Sequence, residues 1–172
     1  IDEAHSFGFY KDGLGLVYQA DLVKEVDFIM LGLGKAIGSS GGVLIIESDI
    51  REYLINKGKK LIFTTAVSPI VISYNLFVIK KIIKDKDTRD RLFSYMDIFK
   101  IKSPILPIIL GENDKADAFS RYLMDNQFIA YPIKYPTVKK DTARVRIVLN
   151  ASMTIDDINR LKGVIEDYGI IL

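Results

Sequence analysis

The stretch Gly32-Leu33-Gly34-Lys35-Ala36-Ile37-Gly38-Ser39-Ser40-Gly41-Gly42 holds one lysine among five glycines and two serines, directly after the apolar run Val26 to Leu31. No other segment restricts the fold as tightly. Glycine costs a helix roughly 1 kcal/mol per residue relative to alanine, so Lys35 cannot lie along a solvated helix face. Without a Cβ, glycine also permits positive φ and lets a bulky group approach the backbone. The pattern therefore predicts a buried strand running into a glycine loop with a lysine in it. Held there, the lysine is expected to lose part of its hydration, which lowers its pKa and makes the amine nucleophilic. The other reading is a surface lysine in a flexible turn.

Around this loop the chain alternates. Val26–Leu31 and residues 42–46 are apolar runs of strand length. Asp49 suits an N-cap for a helix reaching about Asn56, with Gly58 ending it, and Leu61-Ile62-Phe63 reads as a short strand carrying Thr64 and Thr65 at its end. Ser68 and Pro69 open a helix whose Ile70, Val71, Tyr74, Phe77, Val78 and Ile82 recur at helical spacing. Lys80, Lys81, Lys84 and Lys86 lie near its end, where cations suit the helix dipole, and read as a solvated face. A second helix is expected over residues 88–99. The last third reads as strand 105–111, with Pro107 marking an edge or bulge, helix 113–126, and strands 128–133 and 143–149. Thr154 then caps a final helix with Ile155, Ile158, Leu161, Val164, Ile165 and Tyr168 on one face. These pieces give a small three-stranded sheet covered by helices on one side.

Composition narrows the function classes. With 49% apolar residues in 172, a core is easily built. A net charge of +2, with basic and acidic residues interspersed, argues against a nucleic-acid partner. The chain has no cysteine and one histidine, which excludes disulfides, thiolate metal sites and multi-histidine metal sites. No apolar run reaches the roughly 18 residues of a membrane span. No signal peptide is read at its opening residues, so a cytoplasmic location is expected.

Upstream of the loop stands Ile1-Asp2-Glu3-Ala4-His5-Ser6-Phe7-Gly8, followed by Gly13 and Gly15. Singly, Asp2 reads as a strand-end cap and His5 as a loop histidine. Together with Lys35, thirty residues after His5 in a Leu-Gly-Lys-Ala-x-Gly loop, they resemble the fold-type I pyridoxal-phosphate enzymes and, within them, the α-oxoamine synthases. Asp-Glu-Ala-His also occurs in a helicase family, but that family needs a Ser-Ala-Thr motif about where this chain has its lysine loop.

The resemblance implies an α/β fold. Residues 1–85 would be the C-terminal portion of a cofactor-binding large domain, a mostly parallel sheet with helices, and residues 86–172 a small C-terminal α+β domain. The chain would then be the C-terminal part of a longer one. The implied cofactor is pyridoxal 5′-phosphate. Lys35 would carry it covalently and move the proton at the substrate Cα, Asp2 would keep the pyridine nitrogen protonated, and His5 would sit beside the ring. Thr64 and Thr65 match a hydroxyl pair that reaches the phosphate of the other subunit, which implies a homodimer with shared active sites. Family members usually carry threonine or serine three residues before the lysine; here Gly32 leaves more of the phosphate to backbone N–H groups. Tyr135-Pro136-Thr137-Val138 and Thr142-Ala143-Arg144-Val145-Arg146 match two family segments, which assigns Thr137 to a substrate contact and Arg146 to the amino-acid carboxylate. Strand alternation alone does not separate Arg144 from Arg146. Lys134 stands where biotin-pathway members commonly have arginine.

The expected activity is that of a pyridoxal-phosphate-dependent acyltransferase: decarboxylative condensation of L-alanine with a pimeloyl thioester of coenzyme A or acyl carrier protein, at the opening of biotin ring assembly. Glycine C-acetyltransferase or another α-oxoamine synthase is the alternative within the class. A catalytically incomplete dimerisation module is the alternative outside it.

Overall fold

The lysine loop joins the two strands of an antiparallel ribbon. In the computed structural model, which describes residues 1–172, β1 (Ile29–Gly32) pairs with β2 (Gly42–Ile45), from Ile29 opposite Ile45 to Gly32 opposite Gly42. On β1 a parallel bridge joins Asp2 to Met30: the Glu3 N–H donates to the Met30 carbonyl at 2.8 Å, and the Met30 N–H to the Ile1 carbonyl at 2.9 Å. The ribbon itself is antiparallel, so the parallel component of the expected sheet is represented here by the Asp2 bridge.

Alternation along β1 sends Ile29 and Leu31 inward. They meet Phe7, Val17, Leu33 and Ile37 in one apolar cluster, with Val78, Ile79 and Ile82 packed against it. Val17 comes from a single helical turn, α1 (Leu16–Gln19). The other three arrive from α4 (Pro69–Lys84), which starts at Pro69 behind Ser68 as expected. Only part of the apolar periodicity of α4 is buried in this way. Ile70 is 81% exposed, and Ile72, Tyr74, Leu76 and Phe77 are also exposed. Strand β2 is open along its whole length, with Val43, Leu44 and Ile45 all accessible. The four lysines towards the end of this helical region, Lys80, Lys81, Lys84 and Lys86, are exposed.

Two local expectations are corrected. Helix α2 (Ser48–Lys57) begins one residue before Asp49; Glu47 occupies the N-cap position, and Asp49 lies in the first turn, where its charge suits the dipole. Gly58 ends that helix as expected. Residues 61–63 are not a strand. Gly58 starts a new turn, its carbonyl accepting from the Leu61 and Ile62 N–H groups at 2.8 and 2.9 Å, and the result is α3 (Lys59–Ile62). Three apolar residues are too few for periodicity to separate strand from helix.

The chain divides into two compact units, Ile1–Arg89 and Asp90–Leu172, the division falling inside α5 (Lys86–Ile98). That helix starts two residues earlier than expected because Asp85 caps it. The Asp85 carboxylate accepts from the Thr88 N–H at 3.1 Å and from the Thr88 hydroxyl at 2.9 Å. These bonds, the backbone one foremost, hold the Asp85 carboxyl below its usual range.

In the second unit, β3 (Ile105–Gly111), β4 (Tyr131–Ile133) and β5 (Ala143–Val148) form an antiparallel sheet ordered β3-β5-β4. Pro107 lies on edge strand β3, opposite Arg146, and the register slips between Ile109 and Gly111. Edge and bulge are therefore both present. Leu106, Ile108, Ala143, Val145 and Ile147 share the buried face. Against it α6 (Asn113–Asp125) turns Ala116, Phe119, Ser120 and Leu123, the spacing of one helical face. Helix α7 (Ile155–Asp167) buries Ile158, Leu161, Val164 and Ile165, and Tyr168 just beyond it meets the Phe119 ring at 4.8 Å. Strand β4 is shorter than the expected 128–133. The Phe128 N–H is used at 2.8 Å to close the end of α6 on the Leu123 carbonyl.

Thr154 caps α7 through a capping box: its hydroxyl accepts from the Asp157 N–H at 3.1 Å, and its own N–H donates to the Asp157 carboxylate at 3.0 Å. The Thr154 hydroxyl first, and then the backbone N–H, hold the Asp157 carboxyl below its usual range. A depressed folded value means that this stabilisation is present above the ordinary carboxylate pKa and disappears as pH falls through the folded one. Thermal denaturation of wild type and Thr154→Ala should therefore show a gap in melting temperature at pH 7 that narrows below about pH 3.9.

Candidate active site

Asp2 and His5 sit on a closed turn. The Ala4 N–H donates to Asp2 Oδ1 at 2.8 Å, and the Ser6 and Phe7 N–H groups donate to the Glu3 carbonyl at 3.1 and 2.9 Å. The Gly8 N–H returns to the Gly13 carbonyl at 2.9 Å, and the Gly15 N–H to Tyr10 at 3.0 Å. Both Asp2 and His5 are exposed, and the His5 ring has no hydrogen-bond or ion-pair partner.

The lysine loop is fastened rather than loose. Leu33 donates to the Gly41 carbonyl at 3.1 Å, Ser39 to Leu33 at 3.0 Å, and Gly38 to Lys35 at 2.9 Å. Leu33 and Ile37 anchor it in the core on either side of Lys35, while Gly38 (φ +64°) and Gly41 (φ +96°) make the reversals. Lys35 is exposed, and its amine carries no partner. The expected loss of hydration is thus not supplied by these residues: the loop fixes the lysine without covering it.

Glycine brings the turn and the loop together. A Cβ on Gly8, where φ is +86°, would stand 2.6 Å from the Ala36 Cβ, the residue next to Lys35. A Cβ on Gly32 would stand 3.1 Å from the Ala4 Cβ, between Asp2 and His5. Asp2, His5 and Lys35 therefore occupy adjoining segments at one end of β1. The second contact is tight rather than closed: a side chain on Gly32 would require Ala4 to give by a few tenths of an ångström.

Thr64 and Thr65 are exposed just after α3, Thr64 at a bend. The Thr64 hydroxyl donates back to the Lys60 carbonyl, and no hydrogen bond links either threonine to the turn or the lysine loop. In the second unit, Thr137 is exposed on the turn after β4. Arg144 and Arg146 share a strand face, but they differ. The Arg144 Nε donates to the Thr142 carbonyl at 3.0 Å, whereas Arg146 is exposed, opposite Pro107 and Tyr131, with no partner. Lys134 spends its amine on both oxygens of Asp117, at 2.9 and 2.8 Å.

Two residues carry more of this architecture than their sequence suggests. Glu3 is buried, and its carboxylate accepts backbone N–H groups from Leu16 and Val17. Its pairing with Gly15, twelve residues on, has no local sequence signature. Asn75 shares the inward face of α4 with Val78, Ile79 and Ile82 and is buried there. Its amide donates to the Ser40 carbonyl at 3.4 Å, and its Oδ1 has no donor. It borders a cavity of about 350 Å³ lined by Leu33, Gly42, Val43, Ile72 and Leu76. A polar amide at a core-spaced position of an apolar helix was the available signal.

The aminotransferase class I and II family profile matches residues 1–165. A Glaesserella parasuis protein provisionally named 8-amino-7-oxononanoate synthase is 37% identical over 171 residues, which cover 92% of this chain and 45% of that protein. The crystal structure of 8-amino-7-oxononanoate synthase from Francisella tularensis superposes with a TM-score of 0.86 at 30% identity, covering 98% of this chain and 53% of that one. Serine palmitoyltransferase from S. paucimobilis with bound PLP shares the fold, with a TM-score of 0.84 at 22% identity over 99% of this chain and 48% of that one. The chain spans about half the length of the curated relatives it matches.

Gly8→Ala tests the contact that joins turn and loop. The new Cβ meets Ala36 in a left-handed backbone, a conformation that costs an L-residue about 1–2 kcal/mol. Hydrogen exchange at the Gly38 and Ser39 amides should accelerate roughly 5–30-fold.

Proposed function

Because the chain belongs to the aminotransferase class I and II family, we propose that it forms the lysine-bearing part of a pyridoxal-phosphate-dependent α-oxoamine synthase that condenses L-alanine with a pimeloyl thioester. The observation that carries this reading is the seating of the Asp2–His5 turn against the Lys35 loop through Gly8 and Gly32. The residues present suit the cofactor: a carboxylate with one oxygen uncommitted, an imidazole and an unpartnered amine, on adjoining segments.

When bound, pyridoxal 5′-phosphate supplies an electron sink for the bond broken at the substrate Cα. Lys35 holds the cofactor and afterwards moves the proton at Cα. Asp2 accepts the pyridine N–H in a charge-assisted hydrogen bond, which keeps that proton in place. His5 stands beside the ring. Arg146 binds the amino-acid carboxylate with its guanidinium, and Thr137 adds a substrate contact. The free guanidinium of Arg146, beside an Arg144 committed to Thr142, supports that choice between the two.

The reading includes a cytoplasmic homodimer in which Thr64 and Thr65 reach the partner's cofactor phosphate. The exposed apolar side chains of α4 support a face that is covered in the assembled enzyme. No helix is long and apolar enough to cross a membrane.

An absorbance titration of the full natural chain with the cofactor tests this function. Wild type should develop a band near about 420 nm that Lys35→Ala abolishes and that L-alanine shifts more than glycine or serine does. No band in wild type defeats the enzyme reading, and a response to glycine instead moves the assignment to glycine C-acetyltransferase. Arg146→Lys, which loses the bidentate grip, should raise KM for L-alanine roughly 10–100-fold in steady-state assays.

A further inference from the structure

We propose that Glu3 is a positioning residue which aims Asp2 and His5 at the cofactor ring; this rests on the cofactor reading above. Glu3 is 1% exposed and forms no ion pair. A buried carboxylate without a counter-charge is tolerated only when its oxygens are hydrogen-bonded. Here Oε2 accepts the Leu16 N–H at 3.0 Å and Oε1 the Val17 N–H at 2.5 Å. Gly15 makes room: a Cβ there would lie 2.8 Å from Oε2 and 2.9 Å from the carboxyl carbon.

The backbone of Glu3 is committed as fully as its side chain. Its N–H bonds to Met30 on β1, and its carbonyl accepts the Ser6 and Phe7 N–H groups that close the turn. One residue thus bolts the turn to the strand on one side and to the first turn of α1 on the other. The consequence for its neighbours is directional. In an extended segment adjacent side chains point to opposite faces, so the inward Glu3 turns Asp2 outward. His5 rides on the turn that the Glu3 carbonyl closes. A leucine at position 3 would also bury itself, but it would leave two N–H groups without acceptors and the turn without its second anchor.

Four proteins test this in the full natural chain with pyridoxal 5′-phosphate: wild type, Glu3→Gln, Gly15→Ala and, as reference, Asp2→Asn. Glutamine sets an N–H₂ against one of two backbone donors. Gly15→Ala displaces the carboxylate while keeping it, and so carries the test if Glu3→Gln does not fold. The readouts are the melting temperature without cofactor, the cofactor dissociation constant, and the pH midpoint of the lysine-bound band. Both variants should weaken cofactor binding about tenfold and move the midpoint by roughly 0.5–1 pH unit, in the direction that Asp2→Asn moves it. A lower melting temperature with an unchanged midpoint and affinity, while Asp2→Asn shifts them, would show that Glu3 only stabilises the fold. Absence of the band in wild type would remove the cofactor reading and this inference with it.

Discussion

Two backbone segments approach closely enough that side chains must be left out between them, and the candidate site depends on that approach. Gly8 faces Ala36 at a separation that would force a Cβ to displace its neighbour, and Gly32 faces Ala4 at one that would make it yield slightly. Each contact trades a side chain for proximity. The exchange works because both segments are separately rigid: the turn is closed by hydrogen bonds to the Glu3 carbonyl, and the loop by the Leu33 and Gly41 pairing. Rigid supports let small residues define the position of large ones. Lys35, Asp2 and His5 need no contact with one another to be held on adjoining segments.

This also separates what was readable in the sequence from what was not. The lysine loop could be read because glycine density after an apolar run has few structural explanations. The helices starting at Pro69 and after Thr154, and the alternation in Ala143–Val148, followed from local patterns with a period and a cap. Residues 61–63 could not be read, because a short apolar run has no period and its conformation was decided by the Gly58 carbonyl. The Glu3–Gly15 pairing lies beyond local pattern altogether. It is a tertiary fit between one carboxylate and one missing methyl group. The surroundings of Lys35 are beyond the loop's pattern for a related reason: glycine lets a group come close, but which group does so is not encoded in the loop.

The two arginines of β5 illustrate the same limit at a smaller scale. Period-two alternation puts both on one face, and nothing in their spacing ranks them. What ranks them is a main-chain carbonyl two residues back, which engages Arg144 and leaves Arg146 with its full donor set. Arg144 spends one of its five N–H donors in this way, and Arg146 spends none.

Strand β2 has a consequence for handling the polypeptide. Val43, Leu44 and Ile45 are accessible on both its faces, one edge is open, and Ile46 extends the run. Short, uncharged, β-branched segments with a free edge are templates for pairing with copies of themselves. Glu47 and Asp49 follow at once and act as charged gatekeepers at one end, while the glycines at the other supply no charge. Whenever this ribbon is left uncovered, its self-association should therefore rise with ionic strength, because salt screens the carboxylate repulsion between stacked copies.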